Sequence, residues 1–293
     1  MELIQLFIKY ITHEKRYSEN TIKAYYTDIC SLRSFIDSSY KIQLQKATSE
    51  HLRYWILKLA NDNISPRSYK RKLSSLKTFY KYLLREGLIE NDPSEAIIVP
   101  RHRNPIPDFF NSKETINLFE HVLFSNDYIG TRDKLILDIF YHTGIRLSEL
   151  INLRLSDIDF GRQQISVIGK RNKQRNIPVI KKLLTEISNY IELRNEEFNI
   201  APDLLFLTKK GAPLYPRLVQ RLVDKYMQQA TTSEKRHPHK LRHTFATHML
   251  NNGANLNAVK ELLGHASLSA TEVYTHNTYE KLKSIYKQAH PRA

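Results

Sequence analysis

Four prolines, Pro93, Pro100, Pro105 and Pro107, punctuate the stretch DPSEAIIVPRHRNPIPDFF, and no regular helix can run through it. Each proline lacks an N–H and its ring clashes with the preceding turn. The segments on either side must therefore fold on separate elements, and both are long enough to bury a core of their own. The expected organisation is an N-terminal domain over residues 1–100, a linker over 101–110 and a C-terminal domain over 111–293.

The first hundred residues read as about four helices. Ser18 can cap NTIKAYYTDICSLRSFI, where Ile22, Tyr25, Tyr26, Ile29, Leu32 and Ile36 recur at three- and four-residue steps. Ser65 followed by Pro66 opens a second amphipathic stretch that Gly87 ends. Leu73, Leu76, Phe79, Tyr80 and Leu83 form its apolar stripe, and Arg67, Lys70, Arg71, Lys77 and Lys81 crowd the remainder. Such a face is either simply solvated or suited to a DNA groove and its flanking phosphates.

The charge balance bears on that choice. Lys and Arg total 45 against 30 Asp and Glu, a net +15, which favours a polyanionic partner, with nucleic acid and membrane surfaces both in scope. No run approaches the roughly 18 apolar residues of a membrane span, and the first residues carry no basic leader or cleavage site. The expected location is the cytoplasm. One cysteine, Cys30, supports neither an internal disulfide framework nor a thiolate zinc site.

Beyond the prolines, Asn111 and Glu114 have capping-box spacing before TINLFEHVLF, and RDKLILDIFYHTG is a helix ended by Gly144. Short alternating segments in DIDFGRQQISVIGKRNKQRNIPV predict a small antiparallel sheet inside a mainly helical domain. Helices resume at VIKKLLTEISNYIELRNE.

Four segments carry chemistry: TGIRLSEL around Arg146, the hairpin GKRNKQRN around Lys170, HPHKLRHTFATHML around His239 and Arg242, and LLGHASLSATEVYTH around His265 and Tyr274. Together they resemble the tyrosine recombinase (lambda-integrase) family, over the whole chain and nearest to its Xer branch. The resemblance implies a mainly α protein, with a four-helix SAM-like core-binding domain followed by a mostly helical catalytic domain that holds a small antiparallel sheet. It also implies DNA cleavage through a 3′-phosphotyrosyl bond to Tyr274, with neither metal nor cofactor.

The residue types fit that chemistry. Attack on a phosphodiester concentrates negative charge on its non-bridging oxygens, which the guanidinium forks of Arg146 and Arg242 can hold. A helical PHKLRHTFATHML puts His239 and Arg242 on one face. The i, i+4 pair His239 and His243 also has zinc-helix spacing, but Lys240 and Arg242 stand between and no glutamate base accompanies it. By resemblance, His239 and His265 donate to the phosphate, and His239 is a candidate acceptor of the tyrosine proton. Lys170 matches the family's general acid for the 5′-oxygen leaving group, with Lys173 and Arg175 as neighbouring alternatives or contacts to the DNA backbone. Glu149 matches the family's acidic position, orienting the arginine and histidine side chains or simply pairing with Arg146. His243 and His248 read as structural.

The tail YEKLKSIYKQ has Leu282, Ile285 and Tyr286 at helical spacing, to pack on its own domain or, as the family implies, on a neighbouring subunit. The implied partners are double-stranded DNA with a specific recombination site, a homo- or hetero-tetramer exchanging C-terminal helices, and a DNA translocase, with no membrane. Chromosome-dimer resolution is the leading role. An integrase of a mobile element or phage is the alternative within this chemistry, a type IB topoisomerase fits the organisation less well, and a non-catalytic DNA-binding regulator is the alternative from another class.

Overall fold

A computed structural model describes residues 2–62, 64–97, 109–169, 173–198, 202–264 and 276–292, with side chains of the last segment described from Leu282. The Cα framework divides into two compact units, Met1–Pro105 and Ile106–Ala293.

Among the described residues unit 1 holds four α-helices: α1 (Glu2–His13), α2 (Glu19–Tyr40), α3 (Ser49–Asn61) and α4 (Pro66–Arg85). The caps are those that the sequence offers: Ser18 accepts from Thr21 N–H and Ser65 from Ser68 N–H, with Pro66 in the first turn of α4. All five apolar stripe residues of α4 are buried, against Phe7 and Ile11 of α1, Ile29, Leu32 and Ile36 of α2, and Trp55 of α3. Tyr26 is the exception to the α2 stripe and stands exposed, because the buried arc of that helix is narrower than its apolar residues. Asp28 sits fully buried between α2 and α4, where it accepts from Arg71 and Ser75 and pairs with Lys72 at 3.2 Å.

Unit 2 begins with the expected capping box: Asn111 accepts from Glu114 N–H and the Glu114 carboxylate accepts from Asn111 N–H. The helix it starts, α5 (Ser112–Ile116), relaxes into a π turn over Asn117–His121 instead of continuing through LFEHVLF. α6 (Tyr128–Thr143) is buried almost all round and forms the axis of the unit. α7 (Leu147–Ile151) follows directly. The sheet is three antiparallel strands, β1 (Ile158–Asp159), β2 (Gln164–Ile168) and β3 (Gln174–Pro178), in register with Ile165 opposite Ile177 and Val167 opposite Arg175.

The remaining helices are α8 (Lys181–Glu197), α9 (Pro216–Ala230), α10 (Pro238–Asn251), α11 (Leu256–Leu263) and α12 (His276–Ala289). Phe245 and Met249 of α10, Val259 and Leu262 of α11, and Leu282, Tyr286 and Ala289 of α12 make a separate apolar cluster. The C-terminal helix thus covers its own unit, held further by Asn252 donating to the Ala289 carbonyl at 2.8 Å and by His290 on the Tyr141 carbonyl at 3.2 Å. Each fully buried side chain of Leu or Phe size contributes about 1.5–3 kcal/mol, which makes this cluster, the larger one that includes Leu135, Ile136, Ile139 and Phe140 of α6, and the four-helix core the main source of stability.

Candidate active site

The site is built where α6 stops. Gly144 takes φ +57° at the C-cap, and a Cβ there would lie 2.6 Å from Phe245 Cδ1 and 2.8 Å from Leu263 Cδ2, so only glycine lets α6 meet α10 and α11 this closely. Two residues later Arg146 is the N-cap of α7. Its backbone N–H donates to Glu149 Oε2 at 2.8 Å and its Nη1 to Glu149 Oε1 at 2.8 Å. The i, i+3 pair read from sequence is therefore present, and it doubles as the cap of the helix.

Glu149 serves a second arginine. Arg175, on β3, donates Nη1 to Oε1 and Nη2 to Oε2, both at 2.8 Å. Arg242, on α10, completes the group by donating to the Gly144 carbonyl at 2.5 Å and to the Leu263 carbonyl at 2.6 Å. Arg175 Nε donates to Leu262 at 2.8 Å and Arg146 Nη2 to Gly264 at 2.9 Å. Three consecutive carbonyls at the C-terminal end of α11 thus hold three guanidiniums, in accord with the negative end of a helix dipole.

Among the described residues three cations face one carboxylate in this cluster, and burial sharpens the imbalance. The Glu149 side chain is 2% exposed, and burial alone would raise its pKa, but the hydrogen bonds and charge of Arg175, then the hydrogen bonds of Arg146, outweigh it and bring the carboxyl down to about 2. Arg242 is pulled down to about 9, first by burial and then by the charges of Arg146 and Arg175. It stays charged at neutral pH. Such a cluster is a standing attraction for an anion, and Arg146, with 26% of its side chain exposed, is the member that reaches solvent.

The other expected residues fall in different places. His239 lies exposed in the first turn of α10, on the helix that carries the buried Arg242, with its ring centroid 6.4 Å from that of His237. Lys173 is exposed, and its carbonyl accepts from Gly169 N–H at 2.8 Å to close the described part of the hairpin. Lys170, His265 and Tyr274 lie outside the described residues. His248 is buried on the Tyr141 hydroxyl at 3.0 Å, a structural role, whereas His243 is exposed.

Arg175 does not present itself to the DNA backbone, nor as an alternative acid, as the sequence suggests: it is 7% exposed and each of its guanidinium nitrogens donates to a protein oxygen. The signal was in the strand: Arg175 alternates in phase with buried Ile177 and pairs with buried Val167, so its side chain is on the inner face. Lys240 has a role that its sequence neighbourhood does not signal. It is buried, donates to Ser233 Oγ at 2.7 Å and lies 4.3 Å over the Phe110 ring, anchoring the start of α10.

In unit 1, Arg67, Lys70 and Lys81 are exposed on α4, Lys77 is half-buried, and Arg71 is half-buried with its guanidinium on Asp28 and the Ala24 carbonyl. Arg71 is thus partly committed to the fold. Among the described residues no group of three or more His, Cys, Asp or Glu is placed to hold a metal, and no helix is long and apolar enough to cross a membrane.

Residues 109–281 match the phage integrase family, and residues 4–87 match the phage integrase N-terminal SAM-like domain. Over its full length the chain is similar to Tyrosine recombinase XerC of Listeria welshimeri, 40% identical over 295 residues that cover 100% of this chain and 98% of the relative. It is also 40% identical to Tyrosine recombinase XerC of Anoxybacillus flavithermus, over 99% of this chain and 98% of that relative. Its fold is like that of XerH site-specific recombinase bound to a palindromic difH substrate, with a TM-score of 0.73 at 21% identity over 92% of this chain and 77% of the other.

Proposed function

The chain belongs to the phage integrase family of tyrosine recombinases, and from that membership we propose that it is a site-specific recombinase that cuts and rejoins duplex DNA through Tyr274. The observation that carries the reading is the cluster in which Arg146, Arg175 and Arg242 surround the single carboxylate of Glu149. Charge of that sign, fixed before substrate arrives, is what a phosphodiester gains most from as it becomes pentacoordinate.

In this reading Arg146 and Arg242 grip the non-bridging oxygens and Glu149 orients Arg146. The Tyr274 oxygen attacks phosphorus and gives its proton to His239, while His265 donates to the phosphate. The 5′-oxygen leaves with a proton from Lys170, and the DNA stays joined to the enzyme by a 3′-phosphotyrosine. The bond energy is kept, so the 5′-hydroxyl of a partner strand can reverse the step. Residues 1–100 and 111–293 act as core-binding and catalytic domains around the linker, and Arg67, Lys70, Lys77, Lys81 and Lys173 meet DNA phosphates, with Arg71 contributing as far as Asp28 allows.

The full-length likeness to XerC relatives supports a finer assignment: resolution of chromosome dimers at a short palindromic site, in the cytoplasm at the nucleoid. Four subunits exchange strands in pairs through a Holliday junction, in concert with a DNA translocase. Exchange of the C-terminal helix between neighbours requires α12 to leave the face it covers here.

The test uses a duplex carrying the site mapped from DNA bound in the source cells, nicked near the cleavage point so that the cut strand diffuses away. A covalent protein–DNA adduct should form in EDTA, and Tyr274→Phe should abolish it while leaving binding intact. An adduct that persists in the Phe variant, or that needs a divalent metal, overturns the reading.

A further inference from the structure

Arg175 reaches into both halves of the arginine cluster. Glu149 Oε1 accepts from Arg146 Nη1 and Arg175 Nη1, and Oε2 accepts from Arg146 N–H and Arg175 Nη2, so the plane of the carboxylate is fixed from both sides. The Arg146 guanidinium inherits that orientation. On its other side Arg175 Nε holds the Leu262 carbonyl, and the next two carbonyls along the chain carry Arg242 and Arg146.

Backbone closes in on the same group. A Cβ on Gly264 would lie 3.0 Å from Arg175 Cδ, and one on Gly169 would lie 3.4 Å from both Arg175 Nη1 and Glu149 Oε1. A planar fork is required to span carboxylate and carbonyl at once, and the point charge of a lysine cannot do so.

We propose that Arg175 is a positioning residue that sets the separation and orientation of the Arg146 and Arg242 guanidiniums, acting through Glu149 on one side and the C-terminal turn of α11 on the other. This rests on the recombinase reading above. Arg175 need not touch DNA, and its effect is felt in the rate of strand cleavage rather than in affinity.

The experiment is single-turnover adduct formation on the nicked duplex at saturating protein, with binding measured separately, for the wild type, Arg175→Lys and Arg175→Met. Both variants should bind within about threefold of the wild type, since affinity comes chiefly from phosphate contacts elsewhere. Their cleavage should slow by about 100-fold, the cost of a small misplacement of catalytic groups. The Met variant should also lose cleavage more steeply on the acid side than the wild type, in which proton uptake by His239 alone sets that limb. In the variant Glu149, faced by Arg146 from α7 and Arg242 from α10 but no longer by Arg175 from β3, takes up a proton at higher pH and releases Arg146. A folded variant that cleaves at the wild-type rate overturns the proposal. So does loss of far-UV circular dichroism or of DNA binding in both variants, because Arg175 would then be a residue of the fold alone. A wild type that forms no adduct fails the recombinase reading instead, within the same experiment.

Discussion

Replacing Glu149 by glutamine removes the negative charge that faces three guanidiniums, two of them buried, and the cost follows from the carboxyl itself. Its affinity for a proton falls from an ordinary 4.5 to about 2 in the folded unit, equivalent to about 3 kcal/mol of stabilisation at pH 7. The group is buried, so solvent screening removes little of that. Because the folded value is depressed, the contribution is complete above 4.5 and is lost as pH falls toward 2. Glu149→Gln should therefore destabilise unit 2 by about 3 kcal/mol at pH 7, and the gap from the wild type should shrink to roughly half of that at pH 3.5. Urea unfolding followed by far-UV circular dichroism measures the gap. Trp55, the single tryptophan, lies in the core of unit 1 and its fluorescence supplies an internal reference that should not move. A gap below about 1 kcal/mol at pH 7, or one that is the same at both pH values, would refute the electrostatic account.

Gly144→Ala places a methyl against Phe245 and Leu263 at a positive φ, and should cost about 3 kcal/mol and abolish adduct formation, read by thermal melting and the nicked-duplex assay. A melting temperature within a degree or two of the wild type would contradict the close approach of α6, α10 and α11. The stacked rings of His142 and His290, 4.7 Å apart, are held neutral by burial, with pKa values down to about 4 and about 3. The stability they support is present above 6.5 and drains away as pH falls through those values. Asp138, raised to about 7 by burial and then by the charge of Glu186, has the opposite sign: its contribution is full below 3.8 and lost as pH rises through 7. Asp138→Asn should thus make the loss of stability between pH 7 and pH 4 steeper, and an unchanged or shallower slope in melting temperature against pH would count against the pairing.

Much of the fold was legible because its signals are local. The apolar stripe of α4, the caps at Ser18, Ser65 and Asn111, and the stop at Gly144 each depend on a few neighbouring residues. Arg146 and Glu149 were legible for the same reason, being one turn apart. The π turn at Asn117–His121 was not, since the residues that follow the capping box still look helical and only packing in the folded unit decides. Arg175 is hard to place because its charge suggests the surface while its strand phase puts it on the inner face. The docking of three arginines on Leu262, Leu263 and Gly264 was illegible in principle: the acceptors are main-chain carbonyls, which every residue possesses.

In the proposed reaction, that docking bears on how DNA is admitted. The end of a helix carries only about half an elementary charge, spread over its last carbonyls. It is enough to keep the guanidiniums from repelling one another out of shape, and too little to neutralise them. Under the recombinase reading proposed above, the peptide acts as a place-holder for phosphate, a weak internal anion that a full one can displace. Had α11 ended on aspartates, Arg146 and Arg242 would be satisfied and the incoming strand would have to break salt bridges to enter. With carbonyls there instead, the site rests in nearly the shape it needs and still has most of its attraction to spend.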